Sequence, residues 1–143
     1  MPAPTLIYED DALRIFWNEE RGYYLSEWRP NFRKGDALRR AYQACLDAAR
    51  VRPGAPWLAD ASGIAVIDQA DQRWIADWFF PEFVRAGARY QASVVPLKEV
   101  GKMSAFKAVE KVRQEGELLM TTHASRAEAE TAIVAWLEKH ADD

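Results

Sequence analysis

A chain of 143 residues, 49% apolar and 29% charged, has ordinary globular composition and suits one domain with a buried core. A formal net charge of −3 leaves no basic footprint, so nucleic acid is not an expected partner. No apolar run approaches the roughly 20 residues that cross a bilayer, the start MPAPTLIYEDD lacks a signal-peptide pattern, and the single Cys45 can form no intrachain disulfide, so a cytoplasmic protein without a transmembrane segment is expected.

Residues 1–4 read as a loose arm. Thr5 to Tyr8 suits a short strand, with Glu9-Asp10-Asp11 as a turn. From Ala12 to Asn18, Leu13, Ile15 and Trp17 alternate with Arg14 and Phe16, the pattern of a strand with one buried face. Glu19 to Gly22 reads as a hairpin connection into a returning strand, Tyr23 to Trp28. Pro30 stops that strand, and Ala37, Leu38, Ala41, Tyr42, Cys45, Leu46 and Ala49 then recur at helical spacing until Pro53-Gly54. Arg39, Arg40, Gln43, Asp47 and Arg50 fall on the opposite side of that helix.

The stretch from Pro56 to Gly87 organises the middle of the chain. Trp57 to Ala61 reads as a buried strand and Ser62-Gly63 as a turn. Asp68 stands at an N-cap position, and Asp71 places a carboxylate in the first helical turn, where the helix dipole favours it. Trp74, Ile75, Trp78, Phe79 and Phe83 form a wide apolar face, and Pro81 should kink or divide the helix near Phe79-Phe80. Gly87 is the expected stop. Arg89 to Val95 suits a strand, Met103 to Val112 an amphipathic helix, and Glu117 to Thr122 another strand. Ser125 with Glu128 three residues later is a capping box for a last helix, whose inner face is Ala129, Ala132, Ile133, Trp136 and Leu137. Residues 140–143 read as a loose tail. The order is β-β-β-α-β-α-β-α-β-α, an α/β fold with an α+β-like antiparallel opening and no linker.

This order is similar to that of the STAS-like superfamily, within it the SpoIIAA-like group of small stand-alone domains. The resemblance runs from about Leu6 to Leu137. It is carried by Trp28, Leu58-Ala59-Asp60, Ile67-Asp68, Trp74, Trp78, Pro81, Ala86-Gly87, Ala92 to Val95, Ala129 and Trp136-Leu137. It implies a mixed sheet with about four helices packed mainly on one face, an opening antiparallel hairpin, and a role in regulation or protein binding rather than catalysis. Anti-sigma-factor antagonists of the superfamily carry Asp-Ser-Ser-Gly at the start of the second helix, and the first serine is phosphorylated. The matching residues here are Asp68-Gln69-Ala70-Asp71, so glutamine stands in the phosphoserine place and that switch is missing.

The expected contact surface is the loop and helix start with Asp60, Asp68, Gln69 and Asp71, joined by Trp57, Trp74 and Trp78. Its expected occupant is a protein partner, a second copy included. The alternative is a small apolar or lipid-like ligand in a pocket lined by the aromatic helix, because Trp74 to Phe83 carry more apolar area than one helix face easily buries. Asp60, Asp68 and Asp71 could instead hold a hard cation or act as acid and base, but capping and dipole effects account for two of them, so neither a metal nor another cofactor is expected. His123 and His140 lack a second ligand at zinc spacing, and Cys45 sits on an apolar stripe as a core thiol would. Ser62 lacks a Gly-x-Ser-x-Gly frame, and no phosphate-binding glycine loop occurs. The basic run Lys98, Lys102, Lys107, Lys111 and Arg113 suits a solvated helix face.

Overall fold

The computed structural model describes residues 3–29, 36–63, 68–95 and 118–141. The third amphipathic helix expected at Met103 to Val112, and the basic run around it, lie outside the described residues.

Alternation in the first third of the chain produces β1 (Thr5–Glu9), β2 (Leu13–Asn18) and β3 (Tyr23–Trp28), each antiparallel to the next. The β2–β3 turn places Gly22 at φ 81°, where a side chain is disfavoured, and the Gly22 N–H donates to the Asn18 carbonyl at 2.7 Å. β4 (Trp57–Asp60), β5 (Tyr90–Val94) and β6 (Leu119–His123) then join in parallel. The result is a mixed six-stranded sheet in the sequential order β1-β2-β3-β4-β5-β6.

Helix α1 (Asp36–Val51) buries Leu38, Ala41, Cys45, Leu46, Ala48 and Ala49, close to the stripe that periodicity predicts. The aromatic segment is a continuous helical rod in three parts: α2 (Gln69–Trp74), a π-helical turn (Ile75–Phe79) and α3 (Phe80–Arg85). Pro81 explains the wide turn. Its ring would crowd the carbonyl of Asp77 in a regular α-helix, and the chain relieves this upstream, with the Phe80 N–H donating to the carbonyl of Ile75. The helix is divided by this widened turn. It ends at Gly87, whose φ of 107° and 2.7 Å approach of a notional Cβ to the Pro53 Cβ exclude any side chain.

Helix α4 (Arg126–Lys139) starts at Ser125, whose side chain accepts from the Glu128 N–H. The Glu128 carboxylate reaches back to the Ala124 N–H at 3.1 Å, one residue short of the standard capping box. At its other end His140 is no loose tail residue: its N–H bonds the Trp136 carbonyl and its ring stacks on Trp136 at 4.4 Å.

Helices lie on both faces of the sheet. On one face, here called the aromatic face, α1 and the aromatic rod pack over Leu13, Ile15, Tyr24, Trp28, Trp57 and Met120. On the other, α4 packs over Tyr23, Leu58, Tyr90, Ala92 and Val94 through Ala129 and Ile133.

Candidate functional site

Parallel pairing sets the geometry of the site. Glu27, Asp60, Val94 and His123 fall in one register row at the carboxyl ends of β3 to β6, so their side chains share the α4 face. Asp60 is buried there. Its Oδ1 accepts from the Ser62 N–H at 3.1 Å and the Ser62 hydroxyl at 2.6 Å, which makes Ser62-Gly63 a turn. Its Oδ2 accepts from Arg126 Nε at 2.9 Å and Nη2 at 2.7 Å. Arg126 Nη2 also donates to Glu27 Oε2 at 2.8 Å, and Arg14 Nε closes the lattice on Glu27 Oε1 at 2.8 Å. Burial opposes the charge on Asp60, but the bonds from Ser62 and Arg126 outweigh it and hold its carboxyl below the ordinary range. Glu27 behaves alike: burial opposes its charge, and Arg126 and Arg14 hold its pKa low. The Arg126 guanidinium is held in its charged form by the same two carboxylates, against its own burial.

Asp68, Gln69, Asp71, Trp74 and Trp78 belong to the aromatic rod, on the other face of the sheet. Asp68 occupies the N-cap position, but its side chain makes no cap hydrogen bond; its backbone carbonyl accepts from the Gln72 N–H at 2.8 Å instead. The expectation that its carboxylate caps the helix is corrected. Gln69 and Ala70 are exposed. Asp71 is buried, with its Oδ1 3.7 Å from Arg39 Nε on α1. Arg39 also lies over the Trp74 ring at 5.2 Å, and Trp74 stacks on Trp78 at 5.0 Å with 23° between planes. Arg39 therefore turns toward the aromatic rod rather than away from it. Trp78 ends the stack and is 40% exposed.

Trp57 is elsewhere. It is 2% exposed, stacked on Tyr24 at 4.4 Å and met edge-on by Phe83 at 5.4 Å. It is a core residue, closed to any partner.

The structure thus separates the candidates. Asp68, Gln69, Asp71, Trp74 and Trp78 follow one another along the rod, Asp60 belongs to the lattice on the other face, and Trp57 lies beneath. The three carboxylates of Asp60, Asp68 and Asp71 do not converge, and among the described residues no group of three or more His, Cys, Asp or Glu side chains is placed to hold a metal. His123, the last residue of β6, is half-buried. Its Nε2 bonds Thr121 Oγ1 at 2.7 Å, and Thr121 in turn meets the Tyr90 hydroxyl at 2.7 Å. Cys45 is buried, and burial pushes its thiol pKa far up, consistent with an unreactive core residue.

Residue types alone missed Arg126, Glu27 and Arg14. The one available signal was an arginine directly after the Ser125 cap, at a helix start where a cation is poorly placed unless a carboxylate meets it. Among the described residues no helix is long and apolar enough to cross a membrane. The chain matches no family model, and no curated protein or solved structure matches it at a significant level.

Proposed function

We propose that this chain is a non-enzymatic regulatory or protein-interaction domain of the STAS-like, SpoIIAA-like type, working in the cytoplasm. The mixed α/β sheet with an antiparallel opening supports this reading, and the finer expectation of about four helices belongs to it. The contact surface is the outer side of the aromatic rod, from half-buried Asp68 and exposed Gln69 to Trp78. The observation that carries it is the Arg39–Trp74–Trp78 stack, which delivers a large, rigid indole to solvent with its inner side already packed. A tryptophan held in this way loses little rotamer entropy when a protein covers it. Gln69 carries no hydroxyl for phosphorylation, so control comes from occupancy of the surface rather than from a phosphate. The burial of Trp57 under Phe83 favours a surface contact over a ligand pocket reaching the sheet.

The test pairs affinity capture from the native host with titration of the purified partner. Wild-type bait retains a partner, and Trp78→Ala and Asp68→Arg weaken its binding by roughly tenfold or more. Trp78→Ala gives up its stack on Trp74, so the binding loss is compared at temperatures where circular dichroism shows both variants fully folded. Partners held equally well by Trp78→Ala would sink this reading, as would a co-purified lipid-like mass in native mass spectrometry that disappears with the same substitution.

A further inference from the structure

Asp71 belongs to the stretch that forms the proposed contact surface, yet its side chain is only 5% exposed and lies beneath that surface. A buried carboxylate is costly without a cation near it. The cation comes from another element: Arg39 of α1 brings its Nε to 3.7 Å from Asp71 Oδ1. That distance is too long for a hydrogen bond, and among the described residues the buried Arg39 Nε has no hydrogen-bond partner. The attraction is therefore one of charge alone and sets no direction. A second attraction supplies the direction. The guanidinium lies 5.2 Å over the Trp74 ring, whose electron-rich face favours a cation. Trp74 is met edge-on by Tyr42 at 6.1 Å and stacks on Trp78 at 5.0 Å. Asp71, Arg39, Trp74 and Trp78 thus form one line of contacts, from a buried charge to an indole that reaches solvent.

Building on the reading of Trp78 as the contact residue, we infer that Arg39 and Asp71 are positioning residues for it. Asp71 holds Arg39, Arg39 pins the Trp74 ring, and Trp74 keeps Trp78 in the orientation that a partner meets. Among the described residues Trp74 is the one ring that Trp78 meets, so what fixes Trp74 also fixes Trp78. The benefit is pre-organisation. An indole ordered beforehand gives up little rotamer freedom on contact, and one set loose must be ordered by the partner, a difference of roughly two- to tenfold in affinity. Control of the surface then reaches it from α1, a separate element: whatever draws Arg39 away from Trp74 loosens Trp78.

The test first reads the motion of Trp78 without any partner. In the isotope-labelled full chain, nuclear magnetic relaxation of the Trp78 indole N–H gives its order parameter. Arg39→Met keeps the stem and removes the cation, and Asp71→Asn keeps the shape and removes the charge that holds it. Each lowers the Trp78 order parameter while the sheet stays ordered. Arg40→Met, at the exposed neighbouring arginine, leaves it unchanged, and Arg39→Lys, which retains a cation, recovers part of it. Arg39 is half-exposed, so Arg39→Met remains readable even where Asp71→Asn fails to fold. Purified partner then binds Arg39→Met roughly two- to tenfold more weakly, and adding the same change to Trp78→Ala costs nothing further, because the two residues act as one unit. A Trp78 order parameter unmoved by Arg39→Met overturns the inference. So does an Arg39→Met loss of equal size in the Trp78→Ala background, which would make Arg39 a direct contact. A Trp78 that loosens as expected in a protein whose partner ignores Trp78→Ala would remove the contact reading and leave the positioning role standing.

Discussion

The two faces of the sheet are held by different physics. On the aromatic face, rings pack on rings: Tyr24 on Trp57, Trp57 against Phe83, Phe83 on Phe79, Phe79 against Tyr42. Each large side chain touches several others, so the stabilisation is spread widely and no single direction is imposed. On the other face α4 fully buries only Ala129 and Ile133. Trp136 stacks on Tyr90 at 5.6 Å, and directed polar bonds add to this apolar contact: Arg126 to Asp60 and Glu27 at the first turn, and the Tyr23 hydroxyl donating to Glu130 Oε2 at 2.6 Å one turn later. Burial, with the bond to Glu130 adding to it, pushes the Tyr23 pKa up to about 12, so this phenol remains a donor throughout the neutral range. The aromatic face has the more extensive ring packing, while on the other face ion-paired hydrogen bonds at the first turn of α4 help fix where the helix sits.

Removing a ring from the aromatic face should have the largest effect. Trp57→Ala opens a cavity between Tyr24 and Phe83 and should cost about 3–5 kcal/mol, read as a lower urea midpoint. A loss under about 1 kcal/mol would show that the face repacks freely and would end the contrast. Arg126→Met should cost less, about 1–2 kcal/mol, because the guanidinium is half-exposed while Asp60 is left buried without its cation. Its signature should be local: faster amide exchange in α4 than in α1, whereas Trp57→Ala accelerates both. The smallest effect is in pH dependence. Asp60 and Glu27 have lowered pKa values in the folded chain, so at acid pH the unfolded chain binds more protons. Their contribution is full above the unfolded values near 4 and is lost as pH falls through the lower folded values. Wild-type stability should therefore drop below about pH 4, and the drop should be shallower in Arg126→Met, whose carboxylates have lost their cation. Identical slopes in the two proteins would mean that Arg126 does not govern these carboxylates.

Much of the fold was legible because the signals are local. Alternation in Leu13–Ile15–Trp17 gives a buried strand face, and the stripe Leu38–Ala41–Cys45 gives a helix face, whatever lies across from them. Gly87 ends its helix because its backbone conformation excludes a side chain. The site was legible only in part. Asp60, Asp68 and Asp71 are close in sequence, yet Asp60 ends a strand facing α4, whereas Asp71 sits in the first turn of the following helix, against Arg39 of α1. No pattern in the stretch itself reveals that the sheet divides them. Arg126 lies far along the chain from Asp60 and meets it only because β3 and β4 align Glu27 with Asp60 beneath the start of α4.

By itself, then, the order of residues determined which segments are strand or helix, where they stop, and which side of each is apolar, since these depend on backbone preferences and on periodicities of two and 3.6 residues. Tertiary structure alone decided which face of the sheet each helix covers, which arginine meets Asp60, that Trp57 lies in the core while Trp78 reaches solvent, and that Arg39 lies over Trp74. Those outcomes depend on strand register and on contacts between residues distant in the chain, which local preference does not encode.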